Sequence, residues 1–181
     1  MSAQSDALIR KHLESAIAAE RGFEAQLRGF SQIGDDDEVQ RAFLTHADQI
    51  VAETALLHNR LRSLGGSASE YHSDLVNATE VTPEIATSGV LDERILQNLI
   101  TACTIGATEC AMYSVLATVA QAAGDTETEA LAREVLDRRR IATEQVWHFL
   151  PSRSKIAFNM LTLDEVDPAV KTRTIENRVI E

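Results

Sequence analysis

The chain of 181 residues carries 28 acidic against 17 basic side chains, a net charge of −11 and a pI near 4.9. That balance argues against a nucleic-acid-binding protein, because phosphate contacts need a basic face. Aromatic residues make up only 4% of the chain and there are three prolines, while alanine, leucine, glutamate and arginine recur throughout, which favours helices over strands. The opening MSAQSDALIRKHLES has no apolar core of signal-peptide length, and we expect no run to reach membrane-spanning length. These features lead us to expect a cytoplasmic protein with neither nucleic acid nor membrane as partner.

The first predicted helix runs from about Ser5 to Ile33 and is stopped by Gly34. The second begins at the DDD of residues 35–37, acids suited to capping and to the helix dipole, and ends at Gly65–Gly66. A polar stretch, GSASEYHSDLVNATEVTPEIATSGVL, then separates it from a third helix running from near Asp92 to Gly124. Thr82 and Pro83 in that stretch suit the start of a short helical piece. The fourth helix opens with Thr126 and Glu129 in capping-box spacing and is expected to end before Pro151.

The short turns make two antiparallel hairpins. The long stretch between them is enough to run the length of a bundle. Two hairpins joined by one long crossover predict an all-α, ferritin-like four-helix bundle over residues 1–150. Residues 151–181 are read as a C-terminal arm packing on the bundle or on a second subunit, in a homodimer or higher homo-oligomer. The hairpins also echo each other: ERGFEAQL (20–27) and ECAMYSVL (109–116) share a Glu, an apolar residue three on and a Leu four further.

Helical 3–4 spacing defines an apolar seam on each helix, and each seam is interrupted near mid-length. Glu20 interrupts the first between Ala16 and Phe23, His46 and Glu53 the second, and Glu109 the third. The fourth admits two neighbouring seams, through Arg138 or through Arg139, within LDRRRIAT (136–143). Four interruptions at one level predict a buried polar centre. Cys103 and Cys110, seven apart on one helix, put their Cα atoms about 10 Å apart, beyond disulfide reach, and we read them as small buried hydrophobes. The pair Glu144 and His148, at i and i+4, reads as a surface pair.

The segments AAERGFEAQL, AFLTH and ATECAMYSVLATVAQAAGD resemble the ferritin-like superfamily, and within it the YciE/YciF-type stress-associated proteins. The resemblance covers roughly residues 5–150. It implies a site in which a Glu from each of two helices and a Glu-x-x-His from each of the other two hold two iron or manganese ions. Glu20 and Glu109 match the single glutamates; His46 and Glu53 are the remaining candidate metal ligands, and neither the second nor the fourth helix contains Glu-x-x-His.

An inward arginine about 6 Å from a divalent ion costs on the order of 5 kcal/mol at an effective dielectric near 20. The same guanidinium is a good partner for buried carboxylates. The leading expectation is therefore a polar cluster of Glu20, Glu109 and Arg138 or Arg139 in place of metal, without cofactor, in a non-enzymatic protein acting through assembly. The alternative is a di-iron or di-manganese oxidase, peroxide-consuming or iron-handling protein. No nucleophile motif and no phosphate-binding glycine loop is present in the sequence.

Overall fold

The computed structural model describes residues 3–67 and 91–164, with side chains through Asn159. Four helices account for nearly all of them: α1 (Ala3–Phe30), α2 (Asp37–Ser63), α3 (Leu91–Ala123) and α4 (Thr126–Asp164). They form a ferritin-like four-helix bundle of two hairpins, α1–α2 and α3–α4, linked through residues 64–90. The crossover expected there, with its Thr82–Pro83 start, lies at 68–90 outside the described residues.

The helix ends follow from local chemistry. Asp36 caps α2, its carboxylate accepting from Val39 N at 3.2 Å. At the other end, Gly66 N donates to Leu61 O and Gly65 N to Arg62 O, both at 2.9 Å, with Gly65 at φ 75°. This is a Schellman closure, and it needs the left-handed residue that glycine supplies. The same device ends α3 at Gly124, where Asp125 N donates to Ala120 O at 2.9 Å. Asp125 then caps α4, accepting from Thr128 N at 3.0 Å. The cap is therefore Asp125 and not Thr126, which is already helical; a carboxylate one residue earlier also meets Arg60, at 2.6 Å.

Two expectations are corrected. First, α4 does not end before Pro151 but continues through it to Asp164. Proline removes one backbone hydrogen bond and crowds the carbonyl four residues back. Both Trp147 and Pro151 face solvent, so that strain falls on the wet side of the helix. Beyond it, Arg153 ties the helix to the bundle, with Nε 2.7 Å from Asp36, Nη2 3.0 Å from Glu38 and the guanidinium 5.1 Å over the Phe149 ring. Ala157 is buried. The first part of the expected arm is thus helix, and residues 165–181 lie outside the described ones. Second, α3 is long and apolar enough to cross a membrane by length and composition, although 50% of its most apolar stretch is buried inside the bundle.

The buried apolar side chains form two clusters. One gathers Phe23, Leu27, Phe43, Ile50, Leu99 and Val146 toward one end. The other gathers Ile9, Leu13, Leu57, Leu61, Leu116 and Val135 toward the opposite end. The polar seam residues lie between them. α3 and α4 pack tightly at Gly106, where an added Cβ would lie 2.1 Å from Thr143 Oγ1.

Candidate functional site: a buried glutamate–arginine layer

Each member of the central layer sits where its helix would otherwise place an apolar core residue. Glu20 lies in register with Ala16, Phe23 and Leu27 on α1; Ile50 falls between His46 and Glu53 on α2; Glu109 and Tyr113 are one turn apart on α3. Through the middle of α4 the buried residues are Val135, Leu136, Arg139, Ala142 and Val146, drawn from both candidate seams. Arg139 is the inward arginine, with 0% of its surface exposed.

The guanidinium of Arg139 touches three carboxylates. Its Nη2 lies 2.7 Å from Glu53 Oε2 and 3.3 Å from Glu20 Oε1, and its Nε lies 2.9 Å from Glu109 Oε1. The contact to Glu20 is aligned as a hydrogen bond; the contacts to Glu53 and Glu109 are ion contacts whose N–H groups are not directed along them. Tyr113 donates its hydroxyl to Glu20 Oε1 at 2.5 Å, and His46 Nε2 lies 3.0 Å from Glu109 Oε2. Arg138, whose side chain is 43% exposed, reaches Glu53 from the rim at 3.2 Å and also pairs with Glu134. Arg140 points outward and pairs with Asp137.

Three carboxylates around one buried arginine leave negative charge uncompensated, and the layer answers by holding protons. Burial, then the charge of Glu109, raises the Glu20 carboxyl to about 8. Burial raises Glu109 to about 7. Burial and the neighbouring Arg139 lower His46 to about 4, so its ring is neutral at pH 7. Burial also raises Glu53, against the pull of Arg139 and Arg138. Tyr113, buried beside Glu20, is held well above the usual phenol range. Arg139 stays charged: burial opposes this, but Glu109 and Glu20 more than offset it.

The other candidates lie elsewhere. Glu144 and His148 are both exposed on α4 and do not join the layer. Cys103 is buried and Cys110 half-buried, both free, and burial raises both thiols, the opposite of an activated thiolate. Tyr113 was not among the site residues expected from the sequence. Its signal was the spacing Glu109-x-x-x-Tyr113, which puts the phenol one turn from a buried carboxylate.

A family model described as a domain of unknown function, DUF892, matches residues 5–157. The chain belongs to the DUF892 family. Among solved structures, this DUF892 protein is similar to the E. coli stress protein YciF, with a TM-score of 0.76 at 15% identity over 85% of this chain and 99% of that one. It is also similar to ferritin-like, diiron-carboxylate proteins of Bacillus anthracis (TM-score 0.67, 12% identity, 83% and 99% covered). A third similar structure is the dodecameric thioferritin of Bacteroides fragilis (TM-score 0.67, 14% identity, 86% and 92% covered). A comparison with curated proteins finds no match. At these identities the solved structures speak to the fold alone.

The donor set of this DUF892 protein does not fit a dinuclear metal centre of the ferritin-like kind. Three residues after Glu53 stands Leu56, and three after Arg139 stands Ala142, so both histidines of the Glu-x-x-His pairs are replaced. The remaining carboxylates converge on a guanidinium whose charge opposes a cation's. Among the described residues, no group of three or more His, Cys, Asp or Glu side chains is arranged to hold a metal ion.

Proposed function

We propose that this DUF892 protein is a ferritin-like, stress-associated bundle whose central layer is a glutamate–arginine cluster in place of a metal pair, and that it is non-enzymatic and acts through assembly. The observation that carries this reading is Arg139, fully buried with three carboxylates within 3.3 Å. A guanidinium in a fixed fork suits several carboxylate acceptors at once, so it holds the four helices at one level with no ion. Glu20, His46, Glu53, Glu109 and Arg139 are all buried, which suits a structural layer better than a substrate-binding one. The stress association is taken from the likeness to YciF, and assembly from the dodecameric thioferritin.

The test is oxidation of Fe(II) and consumption of hydrogen peroxide by the purified chain after incubation with Fe(II) or Mn(II). We expect rates equal to those of buffer. A rate above buffer that Glu20→Ala or Glu109→Ala abolishes would replace this reading with metal-dependent redox chemistry.

A further inference from the structure

Helix α4 changes character at Pro151. The proline has no N–H to give to Trp147 O, and its ring crowds that carbonyl, so the helix is weakest at this step. Among the described side chains from Pro151 to Asn159, Ala157 alone is buried; Ser152, Ser154, Lys155, Ile156 and Phe158 are exposed. A helical stretch that buries so little apolar surface opens locally at a lower cost than the core.

We propose that α4 beyond Pro151 is a hinged arm latched by Arg153, and that salt loosens the latch while the four-helix core stays folded.

The latch spans the hinge. The Arg153 guanidinium lies 5.1 Å over the ring of Phe149, two residues before Pro151. On the far side it grips the start of α2. Nε donates to Asp36 Oδ2 at 2.7 Å, and Nη2 donates to Asp36 Oδ1 and Glu38 Oε2, both at 3.0 Å. Two parallel bonds to one carboxylate fix the direction of approach. The keeper is set independently of the arm, because Asp36 Oδ1 also caps α2 by accepting from Val39 N at 3.2 Å. The arm is therefore the part that moves.

Charge favours the shut state. Asp35, Asp36, Asp37 and Glu38 stand at the start of α2, with Asp92 and Glu93 at the start of α3. Asp35, Asp36 and Asp92 line a cleft of about 250 Å³ together with Arg153, Ile95 and Ile156. Withdrawing Arg153 leaves these six carboxylates with one cation fewer. The Arg153 and Asp36 side chains are each 19% exposed, so ions in solution reach the pair and screen it. Ile95 is only 4% exposed and belongs to the apolar cluster of Phe23 and Phe43. Taking Arg153 and Ile156 away from the cleft uncovers it. Ionic strength is thus converted into exposure of an apolar patch at one end of the bundle.

An undocked stretch this short does not hold a helix in water, so opening reads out as amide exchange. Hydrogen exchange of the full chain is followed by NMR between about 0.05 M and about 0.5 M NaCl. The amides of Ser154 to Phe158 are compared with those of Glu109 to Tyr113 in the core. In wild type the arm amides are expected to exchange faster than the core amides and to speed up with salt. Arg153→Ala and Arg153→Gln are each expected to speed arm exchange about tenfold or more at low salt, to abolish the salt response and to leave the core unchanged. Adding Pro151→Ala to Arg153→Ala supplies the missing N–H and is expected to slow the arm again. Arm amides that exchange only as slowly as the core, or that ignore both salt and the loss of Arg153, overturn the latch. A double variant as fast as Arg153→Ala overturns the hinge. The salt series on wild type decides without any variant, so a misfolded substitution does not protect the proposal.

Discussion

Arg138 and Arg139 are chain neighbours with very different surroundings. Removing Arg139 strands three carboxylates in a closed layer, and breaking a buried ion network from one side costs about 3–5 kcal/mol. Arg138 is 43% exposed and meets Glu53 at the rim, so its loss should cost under about 1 kcal/mol. Urea unfolding of Arg139→Ala and Arg138→Ala should separate by that margin, and equal costs would mean Arg139 is not the organising cation. Arg139→Lys should recover little, because an ammonium cannot serve three carboxylates in fixed directions. The titrating groups add a pH dependence with a definite sign. Glu20 and Glu109 rise from 4.5 in the unfolded chain to about 8 and about 7, so the folded state holds extra protons and stability falls as pH climbs through that window. His46 falls from 6.5 to about 4, so it adds stability as pH rises toward 6.5 and partly offsets the carboxylates below that pH. The net expectation is a urea midpoint that declines between about pH 6.5 and pH 8, with a shallower decline in Glu20→Gln. A midpoint that rises over the same interval would contradict the raised carboxyl groups.

Among the elements, the helix ends and the Gly106–Thr143 contact are the sensitive points. Asp125 caps α4 and pairs with Arg60 at 2.6 Å. Asp125→Ala should therefore cost about 2 kcal/mol, the upper end of the N-cap range, measured by urea unfolding, and no measurable cost would remove the cap from the account. Gly106→Ala drives a Cβ to 2.1 Å from Thr143 Oγ1, and overpacking of that kind should cost about 1–3 kcal/mol; an unchanged melting temperature would show that α3 and α4 can part without cost. Helix boundaries at Gly34, Gly65 and Gly124 were legible in the sequence because a left-handed glycine is a local signal, as was the interruption of each seam by Glu20, His46, Glu53 and Glu109. Three features were not. The capping box at Thr126 and the cap at Asp125 differ by one residue, and only the reach of Arg60 across the bundle separates them. Pro151 reads as a stop, yet it lies on the solvent side and is followed by a tertiary anchor, Arg153. Periodicity alone also left Arg138 and Arg139 equivalent, since they differ by one helical step and both candidate seams contribute to the buried face.

For the whole molecule, the two apolar clusters are separated by one polar layer that contacts all four helices. The apolar clusters supply the driving force for folding, and the layer sets the register, because sliding any helix by a turn would pull a carboxylate away from Arg139. That is a role for buried ions in specificity, not in net stability. If Arg139 occupies the place of metal, the metal content of the chain is decisive. Chain purified without an affinity tag is incubated with Fe(II) or Mn(II), desalted and analysed by inductively coupled plasma mass spectrometry, alongside Glu20→Ala. We expect no stoichiometric metal in either protein. Retention of about two ions per wild-type chain, the count of a ferritin-like dinuclear centre, with loss in Glu20→Ala, would contradict it.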